Sequence, residues 1–327
     1  MKYILNETKV RTTNNFKIND LKIDLNIEEK ELSKPLNIIN YSIKNNFDSK
    51  IGLKHNKYNN IDINIEEDTD LINIDYDIDD TNYLVDQINI NLKDNTNSNI
   101  IICYKGNGFH NLKLVLQANK LSISNISVIN MLSSGKSFIS YEAYLDENSS
   151  ININHIDLGG DIKVTNYYSE LNGKNSSITF NNIYTGKNND RIDMNYYAYN
   201  KNINTDNKIN IYGLLNDNAY KTFKGTIDFV KGSSKSVGEE SEDVILLSDK
   251  AISTSLPMLL CHEDDVVGSH GVSTGKIDSD KLFYLMSKGL DYDESKKLII
   301  MANFNKVINN IKEDYKNQII DYLDKEI

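Results

Sequence analysis

The sequence predicts a mostly β protein with a parallel β-helix core and a C-terminal group of α-helices. Short runs alternate apolar and polar residues, as in Ile61-Asp62-Ile63-Asn64-Ile65 and Ile151-Asn152-Ile153-Asn154. Alternation at period two is typical of strands with one buried face. No amphipathic helix lies between the runs, which disfavours an α/β sheet with crossover helices.

A β-helix is favoured over a sandwich or a barrel, although both remain alternatives. The predicted strands continue from about residue 61 to residue 247, which is long for one sandwich. Asn and Asp fill many of the predicted corners, where they tolerate left-handed backbone and bond their own main chain. Hairpin dipeptides are few, with Asn107-Gly108 and Asn172-Gly173 as examples. No fixed repeat length is visible.

The strand runs define three regions, at residues 1–61, 62–276 and 277–327. The first is a mixed N-terminal region with a short helix predicted over 27–32. The second is the β-helix core, and its last strong run, Val244-Ile245-Leu246-Leu247, is apolar throughout, as expected for a strand buried on both faces. Further alternating runs begin at Ile72, Ile88, Leu112, Leu121, Ile178 and Ile209.

The third region, residues 277–327, carries sequence patterns that predict helices. Asp278 can cap a first helix, and Gly289 suits the position just after its end. Asp291, with Glu294 three residues later, has the pattern of a capping box for a second helix. Leu298, Met301 and Ile308 then recur at helical spacing, which predicts an apolar helix face.

Composition limits the classes of function. The 327 residues carry a net charge of −11, which argues against a nucleic-acid-binding surface and against docking on anionic lipid. No apolar run is long enough to span a membrane, and the first residues lack a secretory signal. Cys103 and Cys261 are far apart and form no disulfide framework. A cytoplasmic protein is expected.

One segment concentrates residues that bind metals. The chain has two cysteines and five histidines, and Cys261, His262 and His270 lie within ten residues of one another beside the carboxylate of Glu263. Thiolate, imidazole and carboxylate are ligands of soft and borderline metals. Cys261 and His270 are therefore candidate metal-binding residues, and His262 and Glu263 are candidates for orienting them.

Less specific roles are also open to these residues. Cys261 follows two leucines, so it could be a buried core thiol. His270 lies in a segment rich in Ser and Gly, where its ring could hydrogen-bond a turn instead of a metal. Cys103 lies in an apolar strand and is expected in the core. No phosphate-binding loop or nucleophile elbow occurs.

Three longer motifs lie at His270 and on either side of it. They are Ser-His-Gly-Val-Ser-Thr-Gly-Lys-Ile-Asp over 269–278, Leu-Phe-Tyr-Leu-Met-Ser-Lys-Gly-Leu over 282–290 and Phe-Lys-Gly-Thr-Ile over 223–227. Together these motifs resemble the SufB/SufD family of iron–sulfur cluster assembly proteins. Ser269-His270-Gly271 is similar to the SufD branch. Cys261, nine residues before His270, matches the position of the SufB assembly thiol. A SufD-like protein is favoured, and a SufB-like homodimer remains possible.

The resemblance implies a fold and a set of partners. The fold would be a right-handed parallel β-helix with a C-terminal helical domain. The chain would pair with a SufB-like subunit or with a second copy, and a SufC-like ATPase would dock on the helical domain, for which Leu298, Met301 and Ile308 are the candidate contacts.

These implications favour a non-enzymatic scaffold of the SUF system that holds a transient iron–sulfur cluster or iron. Whether a flavin binds is left open. The alternative is a polysaccharide lyase or hydrolase on the same architecture, working with carboxylates such as Asp157, Asp161 and Glu170. A purely structural β-solenoid would leave the motif over 282–290 unexplained.

Overall fold

The computed structural model describes residues 1–11, 18–27, 30–38, 40–79 and 82–326. The protein is mostly β, with 58% of residues in strands, and forms a β-solenoid of about eight turns with three helices near its C-terminus. The predicted fold class is therefore confirmed.

The strands before the long central pair are β1 (Lys2–Leu5), β2 (Leu21–Asp24), β3 (Glu31–Leu32), β4 (Ser42–Phe47), β5 (His55–Ile65), β6 (Thr69–Ile78) and β7 (Asn82–Leu92). The central pair and the strands that follow are β8 (Asn97–Ala118), β9 (Ile123–Leu145), β10 (Ser150–Asp157), β11 (Ile162–Leu171), β12 (Ser177–Gly186), β13 (Arg191–Asn200), β14 (Asp206–Leu215), β15 (Tyr220–Phe229), β16 (Ser236–Leu246), β17 (Ile252–Cys261) and β18 (Val266–Lys276). The helices are α1 (Ser279–Ser287), α2 (Tyr292–Ile308) and α3 (Glu313–Glu326).

Parallel pairing arranges these strands in two faces. Face A runs through β6, β8, β9, β10, β12, β14, β16 and β18, and face B runs through β5, β7, β8, β9, β11, β13, β15 and β17. The long strands β8 and β9 belong to both faces; in β9, residues 123–130 pair with β10 and residues 136–145 pair with β11. Each later turn of the chain therefore adds one strand to each face.

Rows of apolar side chains fill the space between the faces. Ile126, Ile153, Phe180 and Ile209 are successive register partners on face A, and all four are fully buried. Burying one such side chain is worth about 2 kcal/mol. The alternating runs in the sequence are the source of these rows, because every second residue points inward.

Asparagines form the predicted corners. Asn148, Asn175 and Asn204 have φ angles of 56°, 58° and 57°, in the left-handed region that asparagine tolerates better than most residues. The Asn175 side-chain amide donates to Asn148 Oδ1 at 2.8 Å, and Asn204 donates to Asn175 Oδ1 at 2.8 Å. The corners thus stack as a hydrogen-bonded ladder from turn to turn.

The helices begin and end as their sequence signals predict. Asp278 caps α1, Gly289 follows its end with a φ of 102°, and Asp291 and Glu294 form a complete capping box at α2. Helices α2 and α3 cover the outer side of face A, where Phe304 and Ile308 share an apolar cluster with Ile129 and Ile156. No helix in the described part of the chain is long and apolar enough to cross a membrane.

The N-terminal region covers the outer side of face B. Strands β1 and β2 pair antiparallel, and Leu5 and Leu21 pack against Phe138 and Val164. The helix predicted over 27–32 is wrong where the structure describes it: Glu31–Leu32 is a short strand beside β7, because pairing with a sheet edge outweighs the local preference. Residues 28 and 29 lie outside the described residues.

Candidate functional site

The last turn of the β-helix is an open end. Strands β17 and β18 terminate the hydrogen-bonded path of strands. Within the described residues, β17 pairs only with β15 and β18 pairs only with β16. Nearly every residue of β18 is exposed. Such an edge carries unpaired backbone N–H and C=O groups and favours strand pairing with another chain.

Both candidate metal-binding residues lie on this last turn. Cys261 is the final residue of β17 and is exposed. Its register partner is Phe229, whose side chain belongs to the interior core. His270 lies in β18 and is the register partner of Glu240. Register partners on parallel strands point to the same side of a sheet, so both side chains lie over the open interior of the β-helix.

The two residues are not close to each other within one chain. Across the open end, Ser253 Oγ lies 3.4 Å from Thr274 Oγ1, and a Cβ atom on Gly268 would lie 3.5 Å from Leu259 Cδ1. This pattern places Cys261 opposite Val266, four positions from His270. At about 3.3 Å per residue, the separation along the strands is about 13 Å.

One chain therefore does not bring the thiol and the imidazole to one metal ion. Metal–ligand bonds are about 2 Å long, far shorter than this separation. Among the residues that the structure describes, no group of three or more His, Cys, Asp or Glu side chains could hold a metal ion. A complete site at this end would need ligands from outside the chain.

His262 and Glu263 form the corner between β17 and β18. The Glu263 carboxylate accepts hydrogen bonds from the backbone N–H of Gly232 at 2.9 Å and of Asp264 at 3.1 Å. These bonds hold the pKa of Glu263 below its usual range. The backbone N–H of His262 donates to the carbonyl of Phe229 at 2.8 Å. In this structure, His262 and Glu263 hold the corner that follows Cys261 in place.

A buried ion pair lies one turn below the open end. Lys221 on β15 bonds Glu242 on β16, and both side chains are fully buried. Lys221 also donates to Ser255 Oγ at 2.9 Å, and Ser255 Oγ donates to Glu242 Oε2 at 2.5 Å. Burial lowers the pKa of Lys221. This pair could not be predicted from the sequence, since a lysine in an alternating run is normally assigned to the solvent-exposed face.

Glu240 is the second buried carboxylate in this turn. Its side chain is 3% exposed, and neither carboxylate oxygen has a hydrogen-bond partner in the described part of the chain. The carboxylate lies against Gly225 on the opposite strand, where an added Cβ atom would be 1.9 Å from Oε2. Burial, with the nearby negative charge of Glu242, raises the pKa of Glu240 to about 8.

The predicted ATPase-docking residues divide between two surfaces. Met301 is 9% exposed and Ile308 is fully buried, since both pack into the cluster on the outer side of face A. They are therefore unavailable to a partner in this structure. Leu298 is 49% exposed and lines a groove between α1 and α2 with Tyr284 and Ala302. Helix α1 buries none of its residues.

The alternative function, a polysaccharide lyase or hydrolase, would use the carboxylates of Asp157, Asp161 and Glu170. These three groups do not share a groove. Asp157 is buried, accepts from the Asn130 amide at 2.7 Å and lies 3.7 Å from His155 Nε2. Glu170 pairs with Lys201 at 2.7 Å on the outer side of face B. The Asp161 carboxylate accepts from Gly135 N at a corner. The structure does not bring these groups to one substrate.

Cys103 lies where the sequence predicts. It is 1% exposed and packs in the cluster beneath α2 and α3. Burial raises the pKa of its thiol to about 12, so it remains protonated and unreactive at neutral pH. Cys261 is accordingly the accessible thiol of the chain's two cysteines.

Comparison with known proteins agrees with this architecture. Residues 76–303 match the family model described as SUF system FeS cluster assembly, SufBD core domain. The iron–sulfur cluster assembly protein SufD of Bacillus subtilis is 33% identical over 36% of this chain and 27% of its own length. SufD of Escherichia coli is 28% identical over 44% of this chain and 34% of its own length. A SufBD family protein of Pyrococcus horikoshii is 34% identical over 28% of this chain and 20% of its own length.

These matches span about a third or less of each relative's length, whereas the family model covers more than half of this chain. The chain belongs to the SufBD family of the SUF iron–sulfur cluster assembly system.

Proposed function

We propose that this protein is a SufD-like scaffold subunit that binds a second β-helix through its open end and holds iron or a nascent iron–sulfur cluster at the interface. The observation that carries the proposal is the last turn, where two strands, each with one edge that no described strand pairs, present Cys261 and His270 over the end of the β-helix interior. The cluster is the cargo of this assembly and leaves it, so the subunit itself catalyses no reaction.

The edge strands favour a second β-helix as the partner. Strand pairing would satisfy the free N–H and C=O groups of β17 and β18. It would also cover Ile252, Val267 and Val272, which are 50%, 62% and 42% exposed. The partner would be a SufB-like subunit or, in the SufB-like alternative, a second copy of this chain.

The spacing of the two candidate ligands also points to a shared site. Iron–sulfur clusters are held mainly by thiolates, and this chain offers one accessible thiol. Because Cys261 and His270 are about 13 Å apart along the strands, each would meet its further ligands on the partner. A cluster held between two chains can be released when the chains move.

A SufC-like ATPase is the proposed second partner, and it would dock on α1 and the groove between α1 and α2. Phe283 is 75% exposed, Tyr284 is 59% exposed and Leu298 is 49% exposed, which forms an apolar surface of the kind that protein partners cover. Helix α2 packs directly on face A. Movement of a docked ATPase would therefore be transmitted to the β-helix.

Reconstitution with SufB-like and SufC-like subunits tests the cargo site. His270→Ala should reduce the iron and sulfide bound per complex, and Cys261→Ser should have a smaller or equal effect, because the partner would supply thiol chemistry. Ser273→Ala is the matched control, an exposed residue on the same strand as His270 that pairs in register with Asp243. Circular dichroism checks folding. Normal assembly in both variants would show that the turn is structural.

Co-elution tests the docking surface. The double variant Phe283→Ser, Leu298→Ser should weaken binding of the SufC-like ATPase at least tenfold while leaving β-helix pairing intact. Ile43→Ser is the control, since Ile43 is 59% exposed on β4, on a different part of the molecule. Unchanged ATPase binding in the double variant would rule out this surface.

A further inference from the structure

We propose that Glu240 and His270 together form a binding site for a divalent transition-metal ion of the Fe²⁺ type, on the inner side of the open end. The inference rests on the proposed function, because it specifies where iron would first bind in that assembly. It adds a residue, Glu240, that neither the sequence motifs nor the exposed surface of the last turn indicate.

Register brings the two side chains together. Glu240 and His270 are direct partners on the adjacent parallel strands β16 and β18. Adjacent strands lie about 4.8 Å apart, and the side chains of register partners leave the sheet on the same side. One metal ion can bridge two side chains at that spacing, since each metal–ligand bond is about 2 Å long.

The buried carboxyl group of Glu240 is the reason to expect a bound cation here. A buried carboxylate is costly unless it is paired or bonded, yet both of its oxygens are without partners among the described residues. The buried ammonium group of Lys221 in the same turn is already paired, because it bonds Glu242 and Ser255. Both oxygens of the Glu240 carboxyl group therefore lack hydrogen-bond partners among the described residues, in the interior just below the last turn.

The opposite strand leaves room for this carboxylate. At Gly225 on β15, even a methyl group would collide with Glu240, at 1.9 Å from Oε2 and 2.5 Å from Cδ. The glycine thus admits a carboxyl group that the described core residues do not otherwise satisfy. Unsatisfied buried groups of this kind are uncommon in native proteins and require an explanation, and a bound cation supplies one.

The ligand types fit the proposed ion. One carboxylate and one imidazole suit Fe²⁺ and its neighbours in the first transition row better than they suit soft ions held by thiolates. Two protein ligands leave several coordination positions for water, sulfide or residues of a second β-helix. Binding by one chain would therefore be weak and would tighten on assembly. Cys261 lies about 13 Å from His270 along the strands, so it would not be a ligand of this metal ion.

Cobalt(II) alone is the probe for a direct test on the full chain, because its visible spectrum reports ligand type. Glu240→Gln and His270→Ala should each weaken Co²⁺ binding at least tenfold and alter the spectrum. Glu239→Gln is the matched control, since Glu239 is the neighbouring residue, faces outward and pairs with Lys208 at 3.6 Å. The isosteric glutamine in Glu240→Gln should leave the β-helix folded, which circular dichroism checks.

Two results would overturn the inference: Co²⁺ binding by Glu240→Gln that equals that of the unmodified chain, or no Co²⁺ binding by the unmodified chain at millimolar concentration. Cluster assembly with the partner subunits is measured separately on the same proteins. If His270→Ala loses assembly but Glu240→Gln retains both assembly and Co²⁺ binding, the Glu240 site is wrong and the proposed function stands. If the unmodified chain supports no assembly, the proposed function itself fails.

Discussion

Lys221 and Glu242 form an ion pair in the interior of the β-helix, with both side chains fully buried. The pair joins β15 of face B to β16 of face A, one turn below the open end. Ser255 on the last turn completes the group by bonding both side chains. The three side chains therefore connect face A to face B. They hold β17 in place over the turn below it.

Removing one member of this pair should be strongly destabilising. Lys221→Met would leave the Glu242 carboxylate buried without its cation, at a cost of about 3–5 kcal/mol in the free energy of unfolding. The double variant Lys221→Met, Glu242→Leu should recover much of that loss. Lys208→Met is the control, since its pair with Glu239 is exposed and is worth less than about 1 kcal/mol. Urea unfolding measures all three, and equal stability of the two lysine variants would contradict the account.

Close contact between turns makes one glycine essential. A Cβ atom on Gly159 would lie 1.8 Å from the carbonyl oxygen of Leu132, and backbone cannot move aside as a side chain can. Gly159→Ala should therefore cost about 3 kcal/mol. Gly275→Ala is the matched control, because a Cβ atom there meets nothing within 4 Å. Thermal melting of the two variants checks this, and equal melting temperatures would be inconsistent with the contact.

Asp86 should make stability depend on pH. Burial raises its pKa to about 7, whereas the pKa in an unfolded chain is about 3.9. The folded state therefore binds a proton more tightly, and the stability that this carboxyl group contributes is lost as pH rises from about 4 through about 7.

Asp86→Asn should remove this pH dependence. The free energy of unfolding of the variant relative to the unmodified protein should rise by about 2.6 kcal/mol between pH 5 and pH 8. Asp249→Asn, at an exposed carboxylate, should show no such rise. Denaturant unfolding at the two pH values gives the comparison, and a constant difference for Asp86→Asn would refute the assignment.

Asn6 joins the N-terminal segment to face B through buried hydrogen bonds. Its buried side-chain amide donates to Asp193 Oδ1 at 2.7 Å, and Asn166 donates to its side-chain oxygen at 2.9 Å. Asn6→Ala leaves those partners unsatisfied, which should cost about 1–3 kcal/mol and speed proteolysis of residues 1–11. Lys2→Ala, at an exposed position, should change neither. Unaltered proteolysis of Asn6→Ala would place the anchor elsewhere.

The strands could be predicted from the sequence, but the repeat could not. Every second residue of a run such as Ile151-Asn152-Ile153-Asn154 faces the core, so the pattern carries the strand assignment. Ser150, Ser177, Asp206 and Val237 are successive register partners, so successive turns take 27, 29 and 31 residues. This variation in corner length hides any fixed period.

The last turn shows where sequence reasoning reaches its limit. Motif spacing identified Cys261 and His270 as candidates, but the pairing across the open end decides that they lie four positions apart. Glu240 carried no signal, because its importance depends on Gly225 and His270, which become its neighbours only in the folded chain. Helical spacing likewise identified Met301 and Ile308 as apolar but did not reveal that face A covers them.

Amide hydrogen exchange of β17 and β18 tests the central claim most directly, since the claim is that this protein works by pairing its open end with a second β-helix. In the isolated chain, amides that point to the free edges should exchange quickly, because no strand covers them. On forming a complex with the SufB-like subunit, they should become strongly protected while the already covered amides of β10 and β12 change little. A stable complex in which β17 and β18 exchange as fast as in the isolated chain would contradict the account.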